Sequence, residues 1–255
     1  MSWPINMLWI GSALGLIEKI SIRSFQQHGH RVRLHTYEDV AGVPEGVEIV
    51  DASATAPWED MARLVTRNHQ RASDIFRFRL MRAGAGIWAD TDVLCVAPIK
   101  VYDGILMGLE TPTSINCAIL YLDGNSPILK EALRGMRPGK IPSWVPPRTR
   151  RNALLRQLLR RPNGPEAYKG WTTFGPMAMT ELSRRYGLSH LAAPVDVYYP
   201  LPYERWRDVW EPGSSFDTYR TERTKAIHLW HSAHGEAKVP PATSALGRIA
   251  AELGL

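Results

Sequence analysis

The sequence predicts an α/β fold, a sheet flanked by helices that carries its reactive groups at one end of the strands. Two observations lead there. Short apolar strand signals alternate with helical spacing through residues 5–98. Two carboxylates, Asp90 and Asp92, sit one residue apart where an apolar run ends, and open α/β sheets bind ligands beyond the carboxyl ends of their strands.

The elements follow in order. Residues 5–10 (INMLWI) form an apolar strand closed by Gly11-Ser12. Residues 14–27 have helical spacing, with Leu16, Ile17, Ile20 and Phe25 apolar and Gly29 as the stop. RVRLHTY at 31–37 alternates as a strand, and VEIVDAS follows the turn at 42–46 as another. Pro57 opens a helical stretch that breaks near Asn68. A second helix runs from an N-cap at Ser73 to Ala83, and Gly84 and Gly86 end it. IWADTDVLCVAPI reads as a strand interrupted by acids, and ILMGLE and INCAILYLD as further strands. Residues 134–165, rich in Pro, Gly and Arg, read as a basic insertion in a single domain spanning 1–255. TFGPMAMTELSRRYG starts another helix, and TKAIHLWHSAHG is a late strand bearing His228, His231 and His234.

Composition narrows the function classes. At 255 residues, 44% hydrophobic and 22% charged, the chain suits a soluble globular domain with one sizeable core. Cys95 and Cys117 lie in apolar surroundings without framework spacing, so buried thiols in a reducing compartment are expected. No run of 18 apolar residues occurs. The apolar start carries Glu18 and Lys19 and lacks a basic leader, so it reads as a first strand and helix. The expected location is cytoplasmic, peripheral to the inner face of the membrane.

Net charge is +6, and Arg148, Arg150, Arg151, Arg156, Arg160 and Arg161 equal that excess within one acid-free segment. Leu154, Leu155, Leu158 and Leu159 make an apolar stripe between them. That pattern fits a basic amphipathic helix lying on an anionic membrane. The competing reading packs these leucines onto the domain. The segment lacks aromatic residues for base stacking, so no nucleic acid is expected.

The chemistry centres on Asp90-Thr91-Asp92. In a strand, residues i and i+2 point to one face, so both carboxylates would converge. Two such anions repel, and one stays protonated unless a cation binds. Mn²⁺ or Mg²⁺ suits carboxylate oxygens and can neutralise a leaving diphosphate. Asp74 and Arg77, three apart on a helix, share a face. They are either a surface ion pair or, functionally, a sugar-hydroxyl acceptor beside a phosphate-binding guanidinium. In AIHLWH, His228 and Trp230 would take one strand face and His231 the other; imidazole is a frequent metal ligand. Paired cysteines and helical H-x-x-x-H spacing are missing, which weakens a zinc reading.

Residues 73–93, S-D-I-F-R-F-x-L-x-R-A-G-A-G-I-W-A-D-T-D-V, resemble the signature of glycosyltransferase family 32 and its D-x-D relatives. The likeness extends weakly through Trp9-Ile10-Gly11, Asn116, Gly175-Pro176 and Ala-Ile-His. It implies the GT-A fold, a Rossmann-related mixed sheet flanked by helices with a C-terminal helical and loop insertion. It implies sugar transfer, of hexosyltransferase type and with retention, from a nucleotide-diphosphate sugar, UDP-linked by expectation, to a glycan or glycolipid. Asp90, Asp92 and Arg77 would be the catalytic set, with Asp92, Asp90 and His228 holding Mn²⁺ or Mg²⁺. Trp9, Ile10, Gly11, Asp74, Arg77, Trp88, Asp90, Thr91 and Asn116 would bind the donor. The chain departs from the pattern at Ala85, where a glycine is usual, and at Trp88, where a tyrosine is. Phe174 also replaces a small polar residue before Gly175-Pro176. The residues leave open an enzyme nucleophile or front-face attack. They also leave two other function classes, a D-x-D phosphohydrolase or nucleotidyltransferase, and a basic binding module with a degenerate site.

Overall fold

The computed structural model describes residues 3–65, 69–137, 140–159, 172–231 and 239–255. Strands β1 (Ile5–Trp9), β2 (Val32–Thr36), β3 (Glu48–Asp51), β4 (Ile87–Ala89), β6 (Ile105–Thr111) and β7 (Ser114–Leu122) form one sheet in the order β3-β2-β1-β4-β7-β6. β5 (Val93–Cys95) and β8 (Ala226–His228) form a separate antiparallel pair. The helices are α1 (Leu16–Gln27), α2 (Trp58–Val65), α3 (His69–Arg82), α4 (Pro127–Gly135), α5 (Pro147–Leu158), α6 (Pro176–Arg185), α7 (Val195–Tyr198) and α8 (Ala245–Glu252). The mixed α/β sheet flanked by helices, expected from the sequence, is the architecture formed.

Strands β3, β2, β1 and β4 run parallel, while β7 is antiparallel to β4 and β6 to β7. Strand order reverses direction between β1 and β4. The crevice beyond their carboxyl ends is where such sheets take ligands. Alternation along the central strands feeds two cores. Trp88, Leu120 and Leu122 pack with Phe76, Phe78, Leu80 and Met179 on one face. Ile87, Ala89, Ile119 and Tyr121 pack with Ile22 and Phe25 on the other. A third cluster joins Ile17 and Ile20 of α1 to Leu94, Ile227 and Leu246. Both cysteines are free and buried, as expected.

The joint between β1 and β4 explains the glycine turn. Gly86 has φ +127°, and a Cβ there would lie 2.6 Å from the Pro4 carbonyl. Asn6 fills the same gap, its side-chain amide donating to the carbonyls of Ala85 at 3.1 Å and Ile87 at 3.3 Å. Its oxygen meets His35 Nε2 at 3.0 Å. Gly84, at φ +69°, and Gly86 carry the demand for glycine in this turn, while Ala85 is not in the left-handed region and is tolerated where the related pattern has glycine.

Several boundaries differ from the sequence reading. Helix α3 begins at His69, so Ser73 is inside the helix rather than at its cap; its Oγ accepts from Arg77 Nη2 at 3.1 Å. The expected break near Asn68 falls outside the described residues, as do Arg160, Arg161 and His234. The late strand contains only residues 226–228. No helix among the described residues is long and apolar enough to cross a membrane.

Candidate active site

The chain leaves the main sheet at Asp90. Strand β4 ends at Ala89, residues 90–92 turn, and β5 begins at Val93 in the small sheet. Strand alternation therefore does not aim Asp90 and Asp92, because neither residue is in a strand. The bend does so instead, helped by the β5–β8 pairing that sets Val93 opposite His228. One oxygen of each carboxylate and one ring nitrogen of His228 lie within 4.8 Å of one another. An octahedral ion with bonds of about 2.1 Å has its ligands roughly 3 to 4 Å apart, a span of the same order. Two carboxylates and an imidazole form a donor set suited to Mn²⁺ or Mg²⁺.

The two acids have different partners. Asp90 Oδ1 accepts from the indole N–H of Trp88 at 2.7 Å and from Arg77 Nη2 at 3.0 Å. The tryptophan thus keeps a hydrogen-bond donor at the position where a tyrosine hydroxyl is usual. Asp92 Oδ2 lies 3.2 Å from His228 Nε2 and accepts the His231 backbone N–H at 2.9 Å. Burial raises the pKa of Asp90, more than the neighbouring Arg77 charge offsets. Burial acts on Asp92 too, but the charge and hydrogen bonds of His228, with the His231 amide, prevail and hold it at about 2. The two close carboxylates are thus held apart in protonation by their different partners.

Arg77 and Asp74 form a buried ion pair, not the surface pair weighed from the sequence: they are 4% and 2% exposed. The guanidinium donates to the Cys117 carbonyl at 2.6 Å, Ser73 Oγ at 3.1 Å and Asp90 at 3.0 Å, and stands 3.7 Å from Asp74. It borders the cleft, but most of its donors serve the protein. Burial raises Asp74 to about 7, against the opposing pull of Arg77.

The C-terminal wall turns sharply after β8. Trp230 has φ +58°, a backbone region costly for a bulky residue. Its indole N–H donates to the Leu201 carbonyl at 2.9 Å, and Tyr203 meets its ring edge-on at 5.5 Å. The turn brings His228, Trp230 and His231 to one cleft, so His231 does not take the opposite face.

That cleft encloses about 890 Å³ beyond the carboxyl end of β4. Asp74, Arg77, Trp88, Asp90, Thr91, Asp92, Asn116 and His228 line it. Of the first strand, Leu8 reaches the wall, whereas Trp9, Ile10 and Gly11 are outside it. The sequence reading did not include Glu110, whose Oε2 accepts from Asn116 Nδ2 at 2.8 Å, or Tyr203. Glu110 lies near the end of β6 and Tyr203 opens a 3-10 helix over Tyr203–Trp210, so no local spacing marks either one as a site residue.

No protein-family model matches the chain, and no curated protein does. Two solved structures are similar in outline. One, titled PaToxG glycosyltransferase, overlaps 74% of this chain and 72% of its own, at 17% identity and a TM-score of 0.49. The other, mouse xyloside xylosyltransferase 1 in its apo form, overlaps 91% of this chain and 99% of its own, at 11% identity and a TM-score of 0.45. At such overlap nothing about chemistry transfers from either.

Proposed function

We propose that the chain is a metal-dependent glycosyltransferase that moves a sugar from a nucleotide-diphosphate sugar, a UDP-sugar in the first instance, to a glycan or glycolipid, with retention. One observation carries the reading: Asp90, Asp92 and His228 converge in a large cleft at the carboxyl end of β4. The resemblance of residues 73–93 to D-x-D sugar transferases supports it independently.

In this reading Asp92, Asp90 and His228 hold Mn²⁺ or Mg²⁺. When bound, the ion supplies Lewis-acid neutralisation of the charge on the departing diphosphate. The protein's own groups position the reactants. Arg77 fixes the Asp90 carboxylate from behind. Asp74, Glu110 and Asn116 offer polar contacts for sugar hydroxyls along the wall. The rings of Trp88, Trp230 and Tyr203 give the cleft aromatic walls. Trp9, Ile10 and Gly11, which are not part of the cleft lining, serve the nucleotide base.

The test is a panel of nucleotide sugars with Mn²⁺, scored by nucleoside diphosphate release. The expected result is release from one donor and none without divalent ion. A phosphohydrolase would instead liberate inorganic phosphate from simple phosphoesters, and that outcome rejects the proposal.

Helix α5 favours a peripheral membrane contact in the same scheme, with a glycolipid as acceptor. Its leucines do not pack on the domain: Leu155 is 50% exposed and Leu158 78%. Ala153, on the opposite side of the helix, is buried. Arg148, Arg150, Arg151 and Arg156 are exposed around that apolar face. Each basic residue near an anionic surface contributes about 1 kcal/mol. The protein is expected to co-sediment with phosphatidylglycerol vesicles at low salt and release as salt rises. Exchanging these four arginines for Gln should abolish the binding, and retained binding would reject the contact.

A further inference from the structure

Helix α1 carries a polar stripe on a face that is otherwise core. Glu18, Ser21 and Ser24 recur every three residues and are 0%, 0% and 1% exposed. Each one reaches the small sheet or the segment after it. Ser21 Oγ donates to the Val93 carbonyl at 2.7 Å, and Ser24 Oγ accepts from the Cys95 N–H at 2.9 Å. A Glu18 oxygen lies 2.6 Å from His231 Nδ1. Gly15 leaves room for this carboxylate: a Cβ there would be 2.7 Å from Glu18 Oε2.

These contacts converge on Asp92. The serines hold β5, which begins at the next residue. Glu18 holds His231, whose backbone N–H donates to Asp92 Oδ2. A fully buried carboxylate costs several kcal/mol to desolvate, and an apolar side chain would fill the same place without that cost. Trp230, at φ +58°, leaves this turn strained and in need of restraint.

We infer that Glu18 is a positioning residue: by gripping the His231 ring it fixes the turn after β8 and so aims the Asp92 carboxylate at His228. The inference rests on the metal-dependent reading above and goes beyond it, since it assigns work to a residue that is not in the cleft wall. Outer partners of metal ligands typically contribute 10- to 100-fold to affinity.

The experiment measures Mn²⁺ binding to the full chain without sugar nucleotide, by the loss of the free-ion EPR signal. Glu18→Gln keeps the shape and removes the charge. It is expected to weaken binding about tenfold. His231→Ala should cost a similar factor, and Glu18→Gln added to it should cost nothing more. That non-additivity separates positioning through His231 from a general loss of stability. Equal affinity of Glu18→Gln and wild type overturns the inference and leaves the metal reading intact. So does an undiminished Glu18→Gln effect in the His231→Ala background. If wild type binds no Mn²⁺, the metal reading fails and this inference with it. Should Glu18→Gln not fold, His231→Gln carries the test, and unchanged affinity there overturns the inference.

Discussion

Asp92→Asn is expected to lower divalent-dependent release of nucleoside diphosphate from the donor by about a thousandfold, roughly 4 kcal/mol of barrier. The substitution keeps the side chain's shape and its reach to the His231 amide. It removes the charge that Asp92 holds down to about 2 in the fold. An amide oxygen is a weak ligand for a hard cation, so Mn²⁺ binding should fail together with turnover. Because Asp92 Oδ2 lies 3.2 Å from His228 Nε2, the change also takes away the charge that faces this imidazole. A steady-state assay across Mn²⁺ concentrations decides the matter. Full activity at any Mn²⁺ concentration would show that Asp92 is not a ligand.

The second large effect is on stability. Arg77→Met should cost about 3–5 kcal/mol, because it strands buried charge. Asp90 and Asp74 would lose the cation between them, and the Cys117 carbonyl would lose a donor at 2.6 Å. For a chain of this size that corresponds to a melting temperature lower by on the order of 10 °C, read by calorimetry. Arg77→Lys should recover only part of it, since one ammonium nitrogen cannot occupy both the Nη1 position that meets the Cys117 carbonyl and the Nη2 position that meets Ser73 and Asp90. A melting temperature unchanged in Arg77→Met would mean that the carboxylates satisfy themselves without it. The pair of results would separate two roles, a loss of turnover at Asp92 and a loss of the frame that holds Asp90 at Arg77.

Much of the fold was legible because its signals are local. Strand and helix periods marked β1, α1, β2, β6, β7 and α6 close to their observed places. The requirement for glycine at Gly86 follows from a positive φ and the nearby Pro4 carbonyl, and appeared in the sequence as a turn. Local spacing also failed in identifiable ways. Asp90 and Asp92 looked like neighbours on a strand face, yet a bend between two sheets aims them. Ser73 looked like a cap because serine favours that place, but the helix extends further back. Strand alternation puts His231 on the face opposite His228, but the left-handed backbone of Trp230 breaks that alternation.

Sequence alone determined which groups could do chemistry here. The acid pair, the Asp74–Arg77 face, the glycine turn and Trp88 lie within a few residues of one another, and spacing over one turn or one strand records which share a face. Tertiary structure decided what those groups touch. It gave Arg77 to the protein's interior, brought His228 opposite Val93, and set Glu18 behind His231. It also left the leucines of α5 exposed where packing was equally open to them. Such contacts join residues far apart in the chain. They depend on strand pairing and close packing across the whole core, which no short window of sequence contains.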